Sequence, residues 1–271
     1  MTFRRYFIGL CAGAAYALLL VQGAVAAEMP SLVREQKTVM FEGKAEIWRL
    51  VWQAAPLPVC GAEDVATALS CACSGFAYGE SGQLSLVRLR PGVEREVLDL
   101  TPFFKGEPTP GGAGSAVLQR WRPVPATAHD EDDDWHHASD FNFIKRVQAR
   151  GNVEIMRIGD YNHDGRASEF LLQVGTQPCG KQVMALVGIS RLNSQLHLFA
   201  AADAPTVPLE MGPRVWEAAR KSDKPVRVVE WPCGDHAGDV ESTLTVAVRH
   251  GIFNVQRDSR SCLAESQESS R

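Results

Sequence analysis

The chain has 271 residues, of which 45% are hydrophobic and 22% charged, and its formal net charge is −4. This is ordinary globular composition, which indicates no disorder class and allows one large domain or two modest ones. It also argues against nucleic acid as a partner, because phosphate binding needs a basic stripe and none is visible.

The first 27 residues stand apart. Arg4 and Arg5 precede an apolar run from Tyr16 to Val21, and the small residues Ala24, Val25, Ala26 and Ala27 follow. This is the order of a secretory signal, cleaved after Ala26 or Ala27. The run falls short of the roughly 20 residues that a spanning helix needs, so no integral membrane segment is expected after cleavage. Arg4-Arg5-Tyr6-Phe7-Ile8 partly resembles a twin-arginine export signal, but Phe3 and Gly9 depart from it, and the general secretory route is the expectation. Losing Arg4 and Arg5 leaves 26 of the 28 basic residues against 32 acidic ones, a formal charge of −6. Six cysteines remain: Cys60, Cys71, Cys73, Cys179, Cys233 and Cys262. An even count in an exported chain reads as disulfides.

After a polar lead from Glu28 to Lys37, residues Val39 to Trp52 are rich in β-branched and aromatic side chains and read as a strand stopped by Pro56 and Pro58. Phe76 to Tyr78, a turn at Gly79-Glu80-Ser81-Gly82, and Leu84 to Leu89 read as a hairpin, with a further strand from Val93 to Leu100. Lys105 to Ser115 is a Gly/Pro-rich loop without the lysine of a phosphate-cradling motif. Val117 to Arg122 reads as a strand, followed by an irregular acidic loop. Ser139 then caps a short helix that carries Phe141, Ile144 and Val147 on one face and ends at Gly151.

The most informative stretch follows, from Gly159 to Phe170. Asp160, Asn162 and Asp164 place oxygen donors at alternate positions, Gly165 follows at once, and Ser168 and Glu169 supply two more oxygens. Ca²⁺ takes six to eight oxygen ligands, and such alternation curls them inward, while the glycine permits a sharp bend at positive φ. The expected ligands are the side chains of Asp160, Asn162 and Asp164, the backbone carbonyl of Arg166, and Ser168 or Glu169. His163 occupies a spacer position and is expected to face solvent. Strand character on both flanks, Val153 to Ile158 and Phe170 to Val174, disfavours a helix–loop–helix EF-hand, as does Leu171 at the twelfth loop position.

Gly159-Asp160-Tyr161-Asn162-His163-Asp164-Gly165 followed by Phe170-Leu171-Leu172-Gln173-Val174 resembles the calcium-bearing strand–loop–strand of integrin-like FG-GAP and VCBS repeats. The resemblance covers about 20 residues and occurs once with its acids intact. Such repeats usually carry an acid at the ninth loop position, where this chain has Ser168, with Glu169 one residue later. The resemblance implies β-propeller blades in exported or surface proteins that bind other molecules through loops.

Val183 to Ile189 and Gln195 to Phe199 read as another hairpin, and Pro213 opens a helix carrying Val215, Trp216 and Ala219. Val226 to Trp231, Leu244 to Val248 and Ile252 to Val255 read as strands, with a loose polar tail from Ser259. The matching contexts Pro178-Cys179-Gly180 and Pro232-Cys233-Gly234 suggest a Cys179–Cys233 bridge. Cys71 and Cys73 are too close in sequence to bond each other well and are expected to reach separate partners such as Cys60 and Cys262.

The chain therefore reads as one mainly β, antiparallel domain over residues 28–262 with two short helices and a polar tail over 263–271; a sandwich, a curved sheet and an incomplete propeller all remain open. Its expected role is that of an exported envelope protein, a calcium-stabilised binding or structural module for a protein or glycan ligand. The alternative is an exported metal-dependent hydrolase working through His136, His137 and His236. The stretch holding His136 and His137 lacks the spacing of a zinc helix and reads better as a solvated acidic loop.

Overall fold

The computed structural model describes residues 32–61, 73, 75–92, 95–104, 112, 114–121, 145, 147–177, 181–235 and 238–262. The signal-like segment, the acidic loop with His136 and His137, and His236, Cys71 and Cys179 lie outside the described residues.

The protein is mainly β and antiparallel, as the sequence predicts. Strands β1 (Leu32–Phe41), β2 (Lys44–Trp52), β5 (Leu84–Leu89) and β6 (Glu96–Asp99) form one sheet in that order. Strand β9 (Lys181–Gly188) pairs on one side with β8 (Glu169–Gln177) and on the other with the short β10 (His197–Leu198) and β11 (Glu210–Met211). Strands β12 (Val226–Trp231), β13 (Val240–Arg249) and β14 (Ile252–Ser261) make a third sheet, and β3 (Leu57–Val59), β4 (Gly79–Gly82) and β7 (Ala116–Gln119) a fourth. Helix α1 spans Pro213–Arg220.

Strand side chains alternate between faces, and β9 uses both. Ala185 and Val187 join Phe170, Leu172 and Val174 of β8 against Trp48, Leu50, Trp52, Leu84 and Leu86 of the first sheet. Leu186, between them, points the other way, toward Val215, Trp216 and Ala219 of α1 and Leu244, Val246 and Val248 of β13. The β8/β9 pair is thus a middle layer between two cores, which explains why Val183 to Ile189 is an almost unbroken apolar run. The Trp216 indole N–H donates to Met184 O at 2.9 Å and ties α1 to that layer.

Several local expectations are corrected. From Leu32 the polar lead is strand β1, joined to β2 through the two-residue turn Glu42-Gly43, and its charged side chains find partners across its outer edge, Arg34 on Glu80 and Glu35 on the 155–156 backbone. Gly79 to Gly82 is strand β4 instead of a turn: it lies between β3 and β7, and the chain changes sheets at Gln83. Pro58 sits in β3, an edge strand where its missing N–H costs no ladder bond. Residues 151–158 form no ladder; the Glu35 carboxylate accepts the N–H groups of Ile155 and Met156 at 2.7 and 3.0 Å instead. The strand expected to end at Val255 continues to Ser261. Residues 147–149 are helical and Gly151 takes φ +76, as the expected helix end requires.

The proposed Cys179–Cys233 bridge is wrong, since Cys233 pairs with Cys262 (Cα–Cα 5.6 Å). Strand β14 carries Cys262 back beside Asp239, whose carbonyl accepts its N–H at 2.8 Å, so pairing follows sheet register rather than local sequence context. Cys60 pairs with Cys73 (Cα–Cα 5.1 Å).

Arg88 is fully buried and clamps the Glu46 carboxylate through Nε at 2.6 Å and Nη2 at 2.9 Å. Its Nη1 reaches Glu96 at 3.2 Å and the Ser194 carbonyl, so one guanidinium joins the first sheet to the connection after β9. Removing one partner of such a group leaves an uncompensated buried charge, and Arg88→Ala is expected to cost about 3–5 kcal/mol in urea unfolding. Lys221→Ala, which breaks the exposed pair with Glu217, serves as the comparison and should change the midpoint far less. Unfolding the oxidised protein and then reducing it should release at least four thiols, from bridges contributing about 2–4 kcal/mol each.

Candidate metal site

The loop from Gly159 to Glu169 is closed at its base by two backbone hydrogen bonds. Gly159 N–H donates to Glu169 O at 2.8 Å, and Glu169 N–H to Gly159 O at 3.2 Å. Gly165 lies in the left-handed region at φ +82, where the sequence placed the sharp bend, and His163 is also left-handed at φ +55. Within the loop, side-chain oxygens accept main-chain N–H groups. Asn162 Oδ1 accepts Asp164 N–H at 2.9 Å, Asp164 Oδ1 accepts Arg166 N–H at 3.0 Å, and Asp160 Oδ2 accepts Gly165 N–H at 3.0 Å. The first two are Asx-type turns, and the third reaches across the loop; together they curl the chain around its alternate side chains.

Asn162, Asp164, Ser168 and Glu169 are all buried, and Glu169 has no exposed surface. Glu169 Oε2 accepts Tyr161 N–H at 2.9 Å, and Oε1 accepts the Ser168 hydroxyl at 2.8 Å. The Asn162 amide nitrogen lies 3.3 Å from both Asp164 Oδ2 and Glu169 Oε1, so its partly positive NH₂ occupies the point where the two carboxylates approach. Asp160 Oδ1 is buried and accepts no hydrogen bond among the described residues. Arg166 sends its guanidinium outward, with Cζ 4.8 Å from the Phe41 ring centre, and only its backbone N–H stays with the loop acids.

The six sequence-predicted residues are thus gathered in one loop. Among the described residues, however, no three His, Cys, Asp or Glu side chains close on one point as a metal cage would; Asp160, Asp164 and Glu169 each accept a loop N–H instead. Asn162 presents nitrogen to the carboxylates, where its oxygen was expected to serve as a ligand.

The surroundings of the loop were not foreseen. Arg191 N–H donates to Asp164 Oδ2 at 2.8 Å, and Gly251 N–H, from the β13–β14 turn, to Asn162 O at 2.9 Å. Gly188 of β9 packs flush on the loop exit: a Cβ there would fall 2.2 Å from Ser168 O and 2.8 Å from Glu169 Cα. His163 does not face solvent. Its side chain is 16% exposed, with Nε2 3.1 Å from the Arg220 carbonyl at the end of α1. No local sequence signal marks Arg191 or Gly251, since one comes from the connection after β9 and the other from the β13–β14 turn of another sheet.

Comparison of the chain with protein families, with curated proteins and with solved structures finds no match. The loop is interpreted from its own chemistry.

Desolvation pushes the Glu169 carboxyl up to about 8; the nearby charges of Asp164 and Asp160 add to the rise, and the bonds from Tyr161 N–H and the Ser168 hydroxyl oppose it. An unfolded glutamate titrates near ~4.3. The stability this group contributes is therefore full below that pH and is lost as pH rises through about 8. In chelator, Glu169→Gln, which keeps the shape without the charge, should match the parent near about pH 4 and exceed it near about pH 9. Urea unfolding at both pH values checks this; an unchanged difference between the two proteins would mean that the buried charge is already met.

Proposed function

We propose that the 159–169 loop is a calcium site, and that the chain is a calcium-stabilised exported module serving a binding or structural role, in the manner the FG-GAP and VCBS resemblance implies. The observation that carries this reading is the crowding of three acidic side chains, Asp160, Asp164 and Glu169, close enough that both aspartates raise the Glu169 carboxyl. Asp160 Oδ1 is buried without a partner among the described residues, and Glu169 has no exposed surface. A single amide, that of Asn162, bridges Asp164 and Glu169. The set is oxygen-rich and holds no thiolate, and its one imidazole, His163, turns away to α1, so it fits a hard cation better than zinc or copper.

Asp160, Asp164 and Glu169 would hold the ion, with Asn162, Ser168 and the Arg166 carbonyl completing the oxygen set. A bound Ca²⁺ supplies two positive charges to this cluster and no catalysis. Its expected effect is bracing, because the loop touches the β13–β14 turn, the segment after β9 and the end of α1 at once. Export is supported by the signal-like order of residues 1–27 and by two disulfides, which persist in oxidising compartments. Among the described residues no helix is long and apolar enough to cross a membrane.

Thermal melts in calcium and in chelator test the reading. Extracellular sites of this kind bind at about 10⁻⁴ to 10⁻³ M, and at about ten times the dissociation constant the linkage gain is roughly 1.4 kcal/mol. For a domain this large the expected rise is about 3–6 °C. The double variant Asp160→Ala/Asp164→Ala should lose that rise. No shift in the parent, or an equal shift in the variant, overturns the calcium assignment.

A further inference from the structure

Beside the loop, a cleft of about 350 Å³ opens between the α1-facing side of β8/β9, strand β7, the segment 153–157 and helix α1. Its floor includes Leu171 and Met184, the half-buried apolar side chains of the β8/β9 face. Three glutamines, Gln119, Gln173 and Gln182, line it together with Tyr161. Gln182 Nε2 donates to Gln173 Oε1 at 3.0 Å, and Gln173 Nε2 donates to Gly75 O at 2.9 Å, so the two amides are held in fixed orientations. Tyr161 is equally constrained. A Cβ at Gly159 would lie 3.0 Å from its ring, the Arg220 guanidinium lies 5.6 Å from the ring centre, and its N–H is bonded to Glu169.

The carboxylates at the mouth are already matched from outside the cleft. Glu154 pairs with Lys37 and lies 3.9 Å from Arg157, the cation in the lining, and Glu217 pairs with Lys221 at 2.7 Å. Amides that both donate and accept, a phenol and an apolar floor are what remain to meet a ligand. A charged ligand would have to compete with these pairs for its counter-charge, whereas a ring with one apolar face and hydroxyls at its edge would find a partner for each feature without breaking one. The volume lies at the small end of the roughly 300–1,000 Å³ range for ligand pockets, which suits a single ring better than a length of chain.

We propose that this cleft binds a neutral saccharide unit, with the Gln119, Gln173 and Gln182 amides and the Tyr161 hydroxyl bonding its hydroxyls and Leu171 and Met184 under its apolar face. The proposal rests on the reading of the chain as a binding module and names the ligand class. It does not need the loop to hold calcium.

The test is saturation-transfer NMR on the mature protein with the methyl glycosides of glucose, galactose, mannose and N-acetylglucosamine, each in calcium and in chelator. At least one should bind with a millimolar dissociation constant, and Gln182→Leu and Gln119→Leu should each weaken it about tenfold at unchanged melting temperature. Should a leucine variant melt lower, Gln182→Asn, which keeps the amide but withdraws it by one methylene, replaces it in the comparison. No transfer from any of the four sugars overturns the proposal, as does equal affinity in the variants. Tighter binding of glucuronate or glucosamine than of the neutral sugars overturns it too. Saccharide binding without a calcium-dependent melting shift sinks the metal reading alone; a calcium shift without saccharide binding sinks this one alone.

Discussion

The Glu169 carboxylate sits without solvent contact at the first residue of β8, and the loop, the sheet behind it and the helix beside it are arranged around how its charge is met. Hydrogen bonds from Tyr161 N–H and the Ser168 hydroxyl favour the ionised form, and the Asn162 amide adds a third donor. Burial and two neighbouring aspartates oppose it and prevail, since the carboxyl is pushed up to about 8. An apolar side chain would avoid that cost, but it would leave Tyr161 N–H without its acceptor and the loop without its closing contact. Gly188 makes the arrangement possible by letting β9 approach the loop exit more closely than any other residue would.

The middle layer explains why a loop at its end matters for the whole molecule. Strand β9 feeds both cores by simple alternation, so a shift of one residue in its register would exchange the two sets of contacts. The loop is anchored at the β8 end of this layer, while the Arg88 cluster fixes the segment after β9 through the Ser194 carbonyl. Leu196 N–H, two residues further on, donates to Glu96 Oε1 at 2.6 Å. Phe41 lies within reach of both regions, its ring centre 5.0 Å from Arg88 Cζ and 4.8 Å from Arg166 Cζ. Position in the β1–β2 hairpin is thereby coupled to the loop through one aromatic ring.

The same geometry bears on the cleft beside the loop. Tyr161 stands between Asp160 and Asn162 in sequence, so whatever orders the loop also orders one wall of the cleft. His163, two residues on, touches the last carbonyl of α1, whose first turn lies at the opposite side of the same cleft. Loop, helix and cleft wall thus share a single framework.

By itself, the sequence determined the elements whose cause is local. The alternation of Asp160, Asn162 and Asp164 before Gly165 marked the loop, the apolar run Val183 to Ile189 marked the central strand, and Pro213 marked the start of α1. Each of these rests on backbone preference or side-chain period over a few residues, which the order of residues states directly. The tertiary structure decided what depends on distant partners. The polar β1 became a strand by pairing with β2, Gly79 to Gly82 became one by lying between β3 and β7, and Cys233 found Cys262 because β14 runs back beside β13. Arg191, Gly251 and Arg220 reach the loop for the same reason: hydrogen bonding and desolvation act through space, and only the folded chain sets which groups are close enough to feel them.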